Sequence, residues 1–185
     1  MLMKKPHPNS LSPRYLWRIL LKGAIYAAVT AASIAVLATT FFLSVQQVYG
    51  ASMAPTLQDG QILLAVRTVK LDQGDIAVFF YNEKPSIKRV IAGPADWVNM
   101  DADGTVYVNG ERLEEPYIQD PAYGKTDIGL PCQVPEGMFF VMGDNRETAV
   151  DSRNTAVGCV AQDHLIGKAV LRLWPLKAAG WIRHG

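Results

Sequence analysis

From Gly23 to Val45 the chain carries no charged side chain, and nothing else in the sequence constrains its fold so strongly. As a helix this 23-residue run rises about 34 Å, enough to cross a hydrocarbon core of about 30 Å. Its polar content is confined to hydroxyls, which can return a hydrogen bond to their own helix backbone. Lys4, Lys5, Arg14, Arg18 and Lys22 precede the run without an acidic residue among them. Positive charge before the span places residues 1–22 in the cytoplasm, 23–45 across the membrane and 46–185 outside. A cleaved secretory signal ending near Val48-Tyr49-Gly50 is the competing reading, but an apolar core of that kind usually runs to about 7–15 residues. Either way the C-terminal part is exported.

With 185 residues the chain has room for one span and one modest domain. Its net charge of +1 supplies no global field for nucleic acid, and none is expected as a partner. His7, His164 and His184 are scattered, and the spacing of Cys132 and Cys159 is not that of a metal site, so no metal and no cofactor is expected. The two cysteines fit one disulfide in an oxidising compartment, or two buried thiols.

Beyond Ser52 the residues read as short strands, making the fold mainly β: one N-terminal transmembrane helix followed by an exported all-β domain. The stretches 61–69, 75–82, 86–93, 97–101, 105–110, 138–143 and 165–174 are rich in Val, Ile, Phe and Tyr. Asp59-Gly60, Gln73-Gly74, Asp103-Gly104, Asn109-Gly110 and Glu136-Gly137 supply turns between them. The stretch 105–110, followed by polar ERLEEP, reads as a hairpin, whereas 111–135, with four prolines and two glycines, reads as an irregular loop. Trp181 and Ile182 in the C-terminal tail are expected to pack on the domain or touch the membrane surface.

A serine is a poor nucleophile until a base takes its proton, and no histidine lies in a suitable environment. A lysine can serve if burial lowers its pKa enough to populate the neutral amine. Lys88 sits beside Arg89 in a hydrophobic strand, so alternation sends the two side chains to opposite faces and makes one a candidate for burial. Ser52 lies between Gly50 and Pro55, just past the expected membrane exit, on backbone that is not helical. Separately, a strand lysine is ordinarily a solvated residue and a serine in such a segment a turn residue. Together they form a candidate pair.

Four segments in order resemble the signal peptidase I (leader peptidase) family of Ser-Lys serine peptidases: Ser52-Met53-Ala54-Pro55-Thr56-Leu57, Gly74 to Phe79, Ile87-Lys88-Arg89-Val90-Ile91, and Gly143-Asp144-Asn145-Arg146 with Asp151-Ser152-Arg153. The resemblance runs from about Gly50 to Trp174. It implies a membrane-bound endopeptidase of the bacterial inner membrane, with the catalytic domain periplasmic or extracytoplasmic. Its partners would be the lipid bilayer and signal-peptide-bearing preproteins, cut after small residues of the Ala-X-Ala type. It further implies Ser52 as nucleophile, Lys88 as base and the Ser52 N–H as oxyanion donor. Val48, Tyr49, Gly50, Met53, Leu57, Ser86 and Ile87 are similar to positions that line the substrate pockets, and Asp144, Arg146, Asp151 and Arg153 to residues that brace the site by ion pairs. Arg146 alone also reads as an ordinary polar-turn residue.

Three positions depart from the pattern. Gly50 stands where many Gram-negative members place a serine that completes the oxyanion hole, and Ala149 where many place a serine bonded to the lysine. Thr148 is expected to point elsewhere in a regular strand. Ala92-Gly93-Pro94-Ala95-Asp96 replaces the usual Gly-Leu-Pro-Gly-Asp turn. Alternatives within reach are a relative dedicated to a pilin precursor, a catalytically silent peptide-binding β-domain, and a self-cleaving repressor-type Ser-Lys protease, against which the membrane span argues.

Overall fold

The computed structural model describes residues 13–182, so Lys4, Lys5, His7 and His184 lie outside the described residues. Two units are distinct, a helical N-terminal one and a β-rich one from Phe42 onward. The helix α1 (Pro13–Phe42) begins ten residues before the expected span and ends three before its predicted end. Arg14, Arg18 and Lys22 fall in its first turns four residues apart, so the helix gathers them on one face. Large side chains along it, among them Leu20, Ile25, Ile34 and Leu37, are exposed. The helix Arg14–Phe42 is long and apolar enough to cross a membrane, its most apolar 18 residues having a mean hydropathy of 1.9. As expected of hydroxyls in such a helix, Thr30 donates to the Tyr26 carbonyl and Thr40 to that of Val36, both at 2.8 Å.

Leu43–Val45, expected at the end of the span, instead belong to the strand β1 (Leu43–Gln47), whose alternating exposure is that of an edge strand. It pairs antiparallel with β2 (Ile62–Val66). Then follow β3 (Ile76–Tyr81), β4 (Lys84–Ala92), β5 (Trp97–Met100), β6 (Val106–Val108), β7 (Glu111–Arg112), β8 (Cys132–Gln133), β9 (Met138–Met142), β10 (Val160–Ala161), β11 (Leu165–Trp174) and β12 (Gly180–Trp181). The larger sheet runs β1-β2-β11-β3-β4-β9-β10, with β12 beside β11; a smaller one runs β7-β6-β5-β8. Every pairing is antiparallel.

Hairpin turns set the register. Asn109 and Gly110 both have positive φ, 55° and 85°, the pattern of a two-residue type I′ turn that places Val108 opposite Glu111. Asn82 and Glu83 do the same between β3 and β4, with φ of 48° and 62°, and so set Ala77 opposite Lys88. From Ile87 to Ala92 the strand β4 is buried without interruption, because both faces of the larger sheet are covered there. Val48, Met53, Leu57, Ile76, Val78 and Ile87 share one apolar cluster, so the turn that carries Ser52 is rooted in the core. A second cluster, around Ile91, Val98, Val106, Phe140 and Met142, joins the two sheets.

The cysteines pack against this second cluster from the side, and both are free thiols instead of the disulfide that their exported setting allowed. Burial raises both thiol pKa values, that of Cys159 to about 11 with a further contribution from Cys132. Near the C-terminus Ile182 is buried at the main core while Trp181 stands 80% exposed.

Candidate active site

Ser52 opens a turn in which the Leu57 N–H donates to the Met53 carbonyl at 2.8 Å, while Met53 and Leu57 sink their side chains into the core. Three further bonds pin this turn. Asn145 N–H donates to the Ser52 carbonyl at 3.0 Å, the Thr56 hydroxyl donates to Asp144 Oδ2 at 2.5 Å, and Arg172 Nη2 donates to the Thr56 carbonyl at 2.8 Å. Among the described residues no acceptor lies on the Ser52 N–H. Just before it, Gly50 adopts φ +75° and its N–H donates to Asp59 Oδ1 at 2.7 Å.

Lys88 reaches the same place from β4, and its Nζ donates to Ser52 Oγ at 2.8 Å. The residue as a whole is only 5% exposed. That burial lowers its pKa; the charges of Asp151 and Asp144 act to raise it, and that of Arg153 to lower it. Alternation led to the expectation that one of Lys88 and Arg89 is buried, but both are, since the sheet is covered on each side and each head group finds a partner.

Arg89 is fully buried and forks onto Asp144, Nε to Oδ1 at 2.9 Å and Nη2 to Oδ2 at 2.7 Å. Arg153 pairs likewise with Asp151, whose Oδ2 also accepts from the Gly143 N–H at 2.9 Å. Arg146 pairs with Glu115 and is 2% exposed, so its reading as an ordinary polar-turn residue fails. Residues 144–148 form a turn, not a strand, and this is why Thr148 is exposed; Ala149 packs inside with its Cβ toward Gly143.

Beside the Ser52–Lys88 contact lies a cleft of about 70 Å³ lined by Gln47, Val48, Tyr49, Ser52, Met53, Pro85, Ser86, Ile87 and Lys88. A cavity that takes benzene measures about 150 Å³, so this one suits side chains smaller than a ring. Gly50 and Leu57, expected in the pocket, do not line it: Gly50 turns the chain at its rim and Leu57 is fully buried in the core. Gln47 and Pro85, which sequence reasoning did not single out, do. Glu115 and Tyr117 were also missed, both inside the stretch read as an irregular loop, and no local signal marks them. Arg89 had one: a cation in an unbroken hydrophobic strand needs a buried partner.

The profile described as "signal peptidase, peptidase S26" matches residues 21–174. Signal peptidase I of Bacillus licheniformis is 35% identical over 164 residues, covering 82% of this chain and 87% of that protein. Signal peptidase I T of Bacillus subtilis is 36% identical, with 80% and 83% covered, and signal peptidase IB of Staphylococcus aureus is 35% identical, with 73% and 80% covered. The crystal structure of a signal peptidase I from Enterococcus faecalis superposes with a TM-score of 0.44 at 33% identity, covering 54% of this chain and 96% of the other.

Proposed function

The chain belongs to the signal peptidase family and is a serine endopeptidase of the type that cleaves signal peptides; from that membership we propose that Ser52 and Lys88 form its catalytic dyad, acting on membrane-borne preproteins after small residues. The observation that carries this reading is a buried lysine, 5% exposed as a residue, whose amine lies 2.8 Å from a serine hydroxyl on the wall of a narrow cleft.

In the neutral form of Lys88 the contact reverses and the Ser52 hydroxyl donates to the amine. Ser52 Oγ attacks the scissile carbonyl as its proton passes to Nζ, and negative charge develops on the carbonyl oxygen. The free N–H of Ser52 is the donor available to that oxyanion; Gly50 contributes no side-chain donor, and its own N–H is taken by Asp59. Collapse breaks the peptide bond, with Nζ returning the proton to the leaving amine, and leaves an ester on Ser52. Lys88 then takes a proton from water, whose oxygen attacks the ester; the C–Oγ bond breaks, Nζ returns that proton to Ser52 Oγ, and the new carboxyl terminus leaves. The small cleft beside Val48, Ser86 and Ile87 favours alanine-sized side chains before the cut.

A span-length helix ahead of the domain supports a single-pass anchor, with the N-terminus cytoplasmic and the dyad on the outer side of the bacterial inner membrane. The dyad is tested with full-length protein in detergent and a preprotein bearing an Ala-X-Ala site. Ser52→Ala removes the nucleophile and Lys88→Ala the base, the latter worth about 10²–10⁴-fold in rate. Cleavage at the wild-type rate by either variant overturns the dyad.

A further inference from the structure

Residues 111–135 do more than connect β7 to β8, because they lie against the arginines behind the dyad. Arg153 Nη1 donates to the carbonyls of Ala122 and Tyr123, each at 3.1 Å, and Glu115 pairs with Arg146. Tyr117 stacks on Arg89, with Cζ 3.8 Å from the ring centroid. Arg89 spends Nε and Nη2 on Asp144 and Nη1 on the Gly74 carbonyl, at 2.8 Å. Those bonds lie in the guanidinium plane, and the Tyr117 ring is what meets a face of it.

From there the contacts run without a break to the nucleophile. Asp144, held by Arg89, accepts from the Thr56 hydroxyl, and Thr56 belongs to the turn that begins at Ser52. The residue after Asp144 is Asn145, whose N–H donates to the Ser52 carbonyl. Arg89 itself follows Lys88 in β4, so the residue that holds Asp144 and the residue that meets Ser52 Oγ are neighbours along one strand.

We propose that Tyr117 is a positioning residue for peptide cleavage: its ring caps the Arg89 guanidinium and, through Asp144 and Thr56, holds the Ser52 turn in reach of Lys88. The proposal rests on the Ser52–Lys88 reading above. The ring is the working part, not the hydroxyl, which donates to Glu115 Oε1 at 3.0 Å, away from the dyad. Burial and the Glu115 charge raise the phenol pKa, keeping it protonated throughout the working range. A face-on aromatic attracts a desolvated cation in a way that an alkyl group of similar volume does not.

The difference between ring and alkyl group gives the test. Steady-state cleavage of a signal-peptide substrate is compared for full-length wild type, Tyr117→Phe and Tyr117→Leu, below the unfolding midpoint of each, with Ser52→Ala as the control. Misplacement near 1 Å costs up to about 100-fold, so the Leu variant is expected to lose about 10- to 100-fold in kcat with KM within about twofold, while Phe stays within about twofold in both. If the Leu variant melts below the assay temperature, Tyr117→Met, which fills space flexibly without a ring, takes its place. Wild-type kcat in the Leu or Met variant, or a Phe variant as slow as Leu, overturns the positioning role alone. Cleavage that survives Ser52→Ala overturns the dyad, and the positioning role with it.

Discussion

Gly143 adds a steric demand that the chemistry of the proposed Ser52–Lys88 dyad does not reveal. A Cβ built on it lies 2.5 Å from the Ser52 carbonyl oxygen and closer still to Ala149 Cβ, whereas ordinary contact begins at 3.4 Å. The Gly143→Ala variant must therefore open a gap of about 0.9 Å against the backbone of Ser52. A shift of that size along the Lys88–Ser52 direction stretches the 2.8 Å hydrogen bond to about 3.7 Å, beyond bonding range. Overpacking of this kind costs about 1–3 kcal/mol of stability, and misplacing the nucleophile costs about 10²-fold in rate. The two losses separate in the double variant Gly143→Ala/Ala149→Gly, which relieves the Cβ–Cβ clash but not the one with Ser52. It should regain part of the melting temperature and little of the kcat. Peptide cleavage kinetics with thermal unfolding read both quantities. Full kcat in the single variant refutes the claim that the close approach of Gly143 sets the position of Ser52.

Two predictions follow from the lowered pKa of Lys88. In the free enzyme kcat/KM should rise with pH through a midpoint below the ordinary lysine value of 10.5, and bound peptide, by covering the cleft, should move the kcat limb lower still; a flat profile, or a limb at 10.5, contradicts a buried lysine base. Because the unfolded chain binds the Lys88 proton more tightly than the folded one, stability should rise with pH between the folded pKa and 10.5, and below that window the full cost of burying the cation remains. Lys88→Met should therefore melt higher than wild type in neutral and acid buffer, with the gap closing toward pH 10.5, and a gap that does not change with pH is the contrary result.

What could be read from the residues was what repeats locally. Alternation and turn glycines located the seven long strand stretches, and Asn109-Gly110 gave its hairpin outright because two positive φ angles suit that dipeptide. The equivalent two-residue turn at Asn82-Glu83 carries no glycine and left no signal, although it is what sets Lys88 opposite Ala77. The strands β8, β10 and β12 hold two residues each, too few for any period to show, and β1 was absorbed into an apolar run that continues from the helix. At the site, the matched segments contained Ser52, Lys88, Asp144 and Asp151. Partners such as Glu115 and Tyr117 come from an irregular stretch whose contacts with Arg146 and Arg89 are long-range, and no spacing rule reaches them.

The buried pairs are poorly explained as stabilisers of the fold, since a buried Arg–Asp pair seldom exceeds a well-packed apolar replacement in stability. Their position beside Lys88 suggests a different use. Asp151 and Asp144 each act to hold the proton on Lys88, and unopposed they would work against a neutral amine. Asp144 is tied to Arg89 and Asp151 to Arg153, and the Arg153 charge pushes the lysine pKa back down. Each carboxylate accepts a structural hydrogen bond, Asp144 from Thr56 and Asp151 from the Gly143 N–H, while burial, the largest influence on the amine, outweighs their pull on its proton. An apolar pair of equal volume would keep the packing and spare the lysine, but it would leave Thr56 and Gly143 without acceptors, and those two bonds join the carboxylates to the Ser52 turn and to the glycine packed against it. Geometry at Ser52 and a deprotonable lysine thus set opposing demands on the same carboxylates, and burial of Lys88, aided by the Arg153 charge, meets the second while the carboxylates keep the first.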